Sequence, residues 1–114
     1  MGAGILPTTI HNGKLYFSHA SNDMLVGTTS LTINTWTHVA VARNGTTLTS
    51  YINGVQDVTA TNSDNLSDNQ PIGIGVQPYT TAYYFTGYID EVRITKAARY
   101  TSAFTPPALA FLNQ

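Results

Sequence analysis

Two Asn-Gly dipeptides, Asn44-Gly45 and Asn53-Gly54, constrain this chain more tightly than any other feature, because each sits between runs of alternating apolar residues. A two-residue hairpin loop needs positive φ at both central positions, and Asn-Gly tolerates that best. The two pairs therefore predict a three-strand antiparallel meander. With Asn44-Gly45 as the first turn, Val41 faces Leu48 and Val39 faces Ser50; with Asn53-Gly54 as the second, Ile52 faces Val55. One face then collects Val39, Val41, Leu48, Ile52 and Val55, and the other Trp36, His38, Ala40, Thr49, Tyr51 and Val58. The first set makes a core face. The second, half apolar with small residues beside aromatic ones, suits a concave surface.

The remaining chain follows the same rule of short alternating runs broken by Asn, Gly, Asp and Pro, and no segment keeps apolar residues at helical spacing over three turns. Thr is the commonest residue and suits a pleated, half-exposed surface. The fold class is all-β with little or no helix. Strands are predicted at 14–19, 24–28, 30–33, 36–43, 46–53, 55–60, 71–76 and 84–95. In the last of these Ile89 has odd parity while Val92 and Ile94 have even parity, so a β-bulge near Asp90-Glu91 is expected to bring all three to one face. Residues 96–100 suit one helical turn, and Pro106-Pro107 forces extended chain toward Phe111, so the tail is expected to lie along the domain.

Composition narrows the functional classes. A chain of 114 residues holds a single domain, 1–114. Five basic against six acidic residues give a formal charge of -1, which leaves no positive field to gather nucleic acid or anionic lipid. No apolar run approaches the roughly 20 residues that span a bilayer, so membrane insertion is not expected. The start, Met1-Gly2-Ala3-Gly4, lacks the basic flank and apolar stretch of a signal peptide. With no cysteine, disulfide staples, thiolate zinc sites and thiol chemistry are all excluded.

The string Trp36-Thr37-His38-Val39-Ala40-Val41-Ala42-Arg43-Asn44-Gly45, followed by Tyr51-Ile52-Asn53-Gly54, resembles the central hairpin of laminin G-like domains within the concanavalin A-like lectin/glucanase group. Phe85-Thr86-Gly87-Tyr88-Ile89-Asp90-Glu91-Val92-Arg93-Ile94, then Ala98-Arg99-Tyr100 and Phe104-Thr105-Pro106-Pro107, is similar to the closing segment of such domains in bacteriophage and environmental viral structural proteins. The resemblance runs from about Leu15 to Phe111 and implies an antiparallel jelly-roll β-sandwich. It also implies that the chain starts partway through that sandwich, lacking the family's opening strands, and that oligomerisation completes it. By the same resemblance the expected location is a virion or extracellular surface.

Candidate chemistry is sparse. Glucanases of the broader group use two carboxylates on one strand face, whereas this chain has a single glutamate, Glu91, beside Asp90; on a regular strand these neighbours point apart. The expectation is no catalytic residue and no enzyme activity, with Asp90 and Glu91 serving backbone donors or Arg93. His11, His19 and His38 show no metal-ligand spacing. His38, beside Trp36 and Tyr51, is read either as a hydrogen-bonded residue of a half-buried face or as a ligand contact. Tyr79, Tyr83, Tyr84, Phe85 and Tyr88 form an aromatic cluster that suits core packing, glycan stacking or a protein contact. In the polar loop 62–69, Asp64 and Asp68 are the carboxylates a calcium ion would use, although Asp and Asn are also ordinary turn formers and no cofactor is required.

The expected function is a non-catalytic carbohydrate-binding or adhesion module, with Trp36, His38, Tyr51, Tyr79, Tyr83 and Tyr88 as candidate ligand contacts and a glycan or cell-surface polysaccharide as partner. The alternative is a structural assembly module that binds no sugar. In both, sparse charge on exposed strand edges predicts a homo-oligomer.

Overall fold

The computed structural model describes residues 8–19, 22–66, 73–76 and 83–109. Among these it contains six strands and no helix: β1 (Thr8–His11), β2 (Lys14–His19), β3 (Asn22–Val26), β4 (Val39–Asn44), β5 (Thr47–Ile52) and β6 (Val55–Thr61). They form two antiparallel three-stranded sheets in the orders β1-β2-β3 and β4-β5-β6, and β3 packs against β5 and β6. The all-β, antiparallel class holds.

The predicted meander is the second sheet, with one correction of register. Asn44 closes β4 opposite Thr47, and the loop is Gly45-Thr46 rather than Asn44-Gly45. Gly45 alone carries the positive φ, +60°, which is the requirement of a turn with glycine at its first central position. Val41 therefore faces Ser50, and Val39 faces Ile52. A slip of two residues keeps every side chain on its predicted face, since the strand period is two. The β5–β6 turn is Asn53-Gly54 as expected, with φ of 51° and 79°.

β6 departs from the prediction at a bulge facing Ser50. Tyr51 pairs with Gln56, but Thr49 pairs with Thr59, so Asp57 and Val58 together oppose the buried Ser50, whose hydroxyl accepts the Val58 N–H at 3.3 Å. The extra residue moves Val58 from the Tyr51 face to the Leu48 face. It also delivers the Asp57 carboxylate to the end of β3. There it accepts the N–H and hydroxyl of both Thr28 and Thr29, at 2.7 to 3.3 Å. Burial by itself would raise the Asp57 pKa, but these donors together outweigh it and hold the carboxyl below its ordinary range.

The first sheet begins with a strand that the pattern reading did not include, because a third Asn-Gly pair, Asn12-Gly13, forms the β1–β2 turn with φ of 48° and 71°. Leu15, Leu25 and Leu48 are buried where the two sheets meet, with Ile52 nearly so. The predicted strand at 30–33 is a loop instead. Asn34 takes a φ of 56°, and the hydroxyls of Thr35 and Thr37 donate to the carbonyls of Ile33 and Thr35, local bonds that compete with a ladder.

The expected strand at 84–95 is extended chain without a strand partner. Its one bridge joins Tyr84 to Val76, supported by Phe85 N–H donating to Gly75 O at 2.9 Å. The irregularity expected at Asp90-Glu91 is real, since Glu91 has a φ of 53°, but without a ladder it is a kink and not a β-bulge. Ile89, Val92 and Ile94 accordingly stay exposed. Residues 96–97 bend without completing a helical turn. Of the predicted strand at 71–76, residues 71 and 72 lie outside the described residues and Val76 makes only the bridge.

Candidate functional site

The far face of the second sheet is closed by a clasp from the C-terminal part of the chain. Tyr100 and Phe104 stack with ring centroids 3.6 Å apart, and both meet Tyr51 and His38 edge-on at 5.4 to 6.2 Å. Phe104 N–H donates to Gly54 O at 2.9 Å, which fastens the clasp to the β5–β6 turn. The tail thus lies along the domain through Phe104. It also removes Tyr51 from solvent, at 1% exposure, with its hydroxyl directed to Tyr100 O at 3.5 Å. Tyr51, expected as a ligand contact, is instead the floor beneath the aromatic stack. A half-apolar sheet face attracts whatever apolar chain can reach it, and Tyr100 and Phe104 reach it first.

At the rim of this clasp lies an open cleft of about 350 Å³ lined by Trp36, Thr37, His38, Asn53, Asp90 and Glu91. Three separate segments build it. The loop before β4 displays Trp36 at 70% exposure. The β5–β6 turn contributes Asn53, locked to the strand entrance by a reciprocal pair: His38 N–H donates to Asn53 Oδ1 at 2.9 Å, and Asn53 N–H donates to His38 O at 2.8 Å. The Asn53 amide nitrogen makes no hydrogen bond among the described residues and remains a donor. From the third segment, Asp90 Oδ1 accepts Glu91 N–H at 2.8 Å, which fixes the carboxylate against its own backbone and agrees with a backbone-satisfying role. Glu91 takes positive φ without being glycine, a conformation costing on the order of 1–3 kcal/mol that concentrates at functional sites.

His38 is half-buried between this cleft and the clasp. Its Nδ1 is buried and makes no hydrogen bond, so the hydrogen-bonded alternative is met by its backbone and not its ring. Desolvation lowers its pKa, and the imidazole is neutral above the ordinary histidine range.

The other predicted contacts fall elsewhere. Tyr83 and Tyr88 are 76% and 87% exposed on the chain leading into Asp90, outside the cleft lining, and Tyr83 has a φ of 67°. Tyr79 and Asp68 lie outside the described residues. Asp64 is in a loop already held by a cation: Arg43 donates through Nε to Gly45 O, and through its terminal nitrogens to Asp64 O and Asn62 O, at 2.9 to 3.1 Å. Asp64 also accepts from the Asn62 side chain. A calcium ion would compete with the guanidinium for those carbonyls, and no metal-holding cluster occurs among the described residues.

Asn53, Asp90 and Glu91 entered the sequence reading as turn and structural residues. Left-handed φ at Asn53 explains the turn, while its side-chain bond to His38 is what brings it into the cleft.

Comparison with known proteins agrees with this architecture. A laminin G-like family model, described as the concanavalin A-like lectin/glucanases superfamily, matches residues 5–103. Searches of curated proteins and of solved structures return no significant match. Two packed antiparallel sheets and a match across nearly the whole chain lead to one assignment: this protein belongs to the concanavalin A-like lectin/glucanase superfamily.

Proposed function

We propose that the chain is a non-catalytic carbohydrate-binding or adhesion module acting at a virion or other extracellular surface, with the cleft at Trp36 as its glycan contact. The observation that carries this reading is an exposed indole beside an amide donor and two carboxylates in one open cleft. Sugar rings stack their C–H faces on such an indole, and hydroxyls pair with amide and carboxylate groups. Tyr83 and Tyr88 extend the aromatic surface along the chain that enters the cleft, and Tyr79 is taken as its continuation. Recognition of this kind needs no cofactor, so chelation should leave binding unchanged. A glycan array tests the reading: wild-type protein should bind immobilised polysaccharide, and Trp36→Ala should abolish the signal while leaving the fold intact, because the indole is mostly solvent-exposed. A blank array overturns it.

A second reading is supported by a different observation. Tyr83, Tyr84, Phe85, Tyr88, Ile89, Val92 and Ile94 are all exposed on one extended segment, beside sheets whose outer strands are unpaired. An assembly module would pair that segment with a second copy of the chain, covering apolar side chains and backbone groups together. Self-association with no sugar binding would favour this reading over the first.

A further inference from the structure

We infer that the saccharide accepted by the Trp36 cleft is neutral and hydroxyl-rich, and that the site discriminates against sulfated, sialylated and uronate-bearing glycans. The inference rests on the glycan-binding reading and adds the charge class of the ligand.

The lining determines that class. Two carboxylates, Asp90 and Glu91, face a volume to which no lysine or arginine contributes. His38 does not offset them, since its half-buried imidazole is kept neutral by desolvation. Arg43 is engaged with the carbonyls of Gly45, Asn62 and Asp64, away from this lining. A sulfate or carboxylate on a ligand would therefore meet like charge without a counter-ion from the protein.

The same groups suit hydroxyls. A sugar hydroxyl both donates and accepts, and the cleft offers both functions: carboxylate acceptors at Asp90 and Glu91, and a donor at the Asn53 amide nitrogen. An ammonium group only donates, so an amino sugar would satisfy the carboxylates and leave the Asn53 donor unmatched. Pre-organisation supports the assignment. Asn53 is held by its reciprocal bonds to His38, and Asp90 by the Glu91 amide, so neither has to be ordered when ligand arrives.

The test uses the full chain and follows quenching of Trp36, the one tryptophan of the sequence, during titration with neutral, anionic and amine-bearing polysaccharides. Laminarin and mannan serve as neutral probes, heparin and polysialic acid as anionic ones, and chitosan as the cationic one. The expected result is binding of a neutral probe that is insensitive to salt, with anionic probes and chitosan at least about tenfold weaker. Asp90→Asn should narrow the gap between neutral and anionic probes, and Trp36→Ala, read by calorimetry, should lose binding altogether. Equal or tighter binding of an anionic probe or of chitosan, abolished by Trp36→Ala, would overturn the charge assignment while keeping the glycan reading. No binding to any probe would overturn both.

Discussion

Gly54 is where turn, clasp and cleft meet, and its replacement by alanine tests how they depend on one another. Its φ is +79°, its carbonyl accepts Phe104 N–H at 2.9 Å, and a Cβ there would overlap the Phe104 carbonyl oxygen and come within 3.0 Å of Pro106 Cδ. Gly45 supplies the control, with a φ of +60° and nothing within 4 Å of an added Cβ. Left-handed backbone costs an L-residue about 1–2 kcal/mol, so Gly45→Ala should lose that amount and no more. Gly54→Ala carries the same strain and must also push the Tyr100–Phe104 stack off the sheet. Full exposure of an aromatic such as Tyr51, at about 150–250 Å² and 25 cal/mol per Å², would cost up to ~4–6 kcal/mol. Partial opening, which loses edge contacts worth about 0.5–1.5 kcal/mol each, brings the expected total to about 3–5 kcal/mol. Equilibrium urea unfolding of both variants, followed by far-UV circular dichroism and by Trp36 fluorescence, measures the difference. If the two lose the same stability within about 0.5 kcal/mol, the clasp contributes nothing and the argument fails.

Four further outcomes are expected. Asp57→Ala should cost on the order of 1–3 kcal/mol in urea unfolding by releasing Thr28 and Thr29 from β6; an unchanged midpoint would remove this link between the sheets. The depressed His38 pKa means that the unfolded chain binds the proton more readily, so stability is complete above the unfolded value of 6.5 and declines as pH falls from there through the folded value. His38→Phe should flatten that part of a melting-temperature profile, and an identical profile in the variant would exclude His38 as its source. Light scattering across a concentration series should show self-association that weakens when Tyr88 and Ile94 become serine; a strictly monomeric mass at the highest soluble concentration refutes it. Purified protein should release no reducing sugar from β-glucans, and Glu91→Gln should shift the melting midpoint alone; turnover lost in that variant would overturn the non-catalytic reading.

What could be read from the sequence was set mainly by local conformational chemistry. Asn53-Gly54 determines a turn because two adjacent residues must both take positive φ, and no distant contact is needed to know it. Gly45 illustrates the limit of such a signal. Asn44-Gly45 was read with both residues in the loop, yet the chain uses glycine first and Thr46 second, with Asn62 N–H donating to Thr46 O at 2.7 Å across the adjoining loop. Face assignment survived because the error was an even number of residues. Val58 did not survive, since a bulge opposite Ser50 depends on which residue Asp57 must reach, and Thr28 and Thr29 lie far from it in sequence. Residues 84–95 show the converse case. Their alternation is that of a strand, but a strand exists only with a partner, and alternation says nothing about where that partner is.

The same distinction governs the candidate site. Trp36 and His38 could be selected because aromatic and titratable side chains on a mixed face are unusual in themselves. Their partners could not, because Asn53 and Asp90 are residue types that turns and kinks use everywhere. Tyr51 was selected for the right face and the wrong role: an exposed aromatic on a sheet is only exposed until another part of the chain covers it, and Tyr100 and Phe104 are more than forty residues away in sequence. The clasp that buries Tyr51 is also what leaves Trp36 and the two carboxylates at its rim rather than on the sheet. A concave sheet face was the expected binding surface, and the cleft lies instead at the edge of the element that fills it. Weakening the clasp should therefore impair glycan binding even though neither Tyr100 nor Phe104 lines the cleft. Phe104→Ala provides the measurement: affinity lost along with stability would tie the cleft to the clasp, and full affinity in a destabilised variant would show that the loop before β4 and the β5–β6 turn hold the site by themselves.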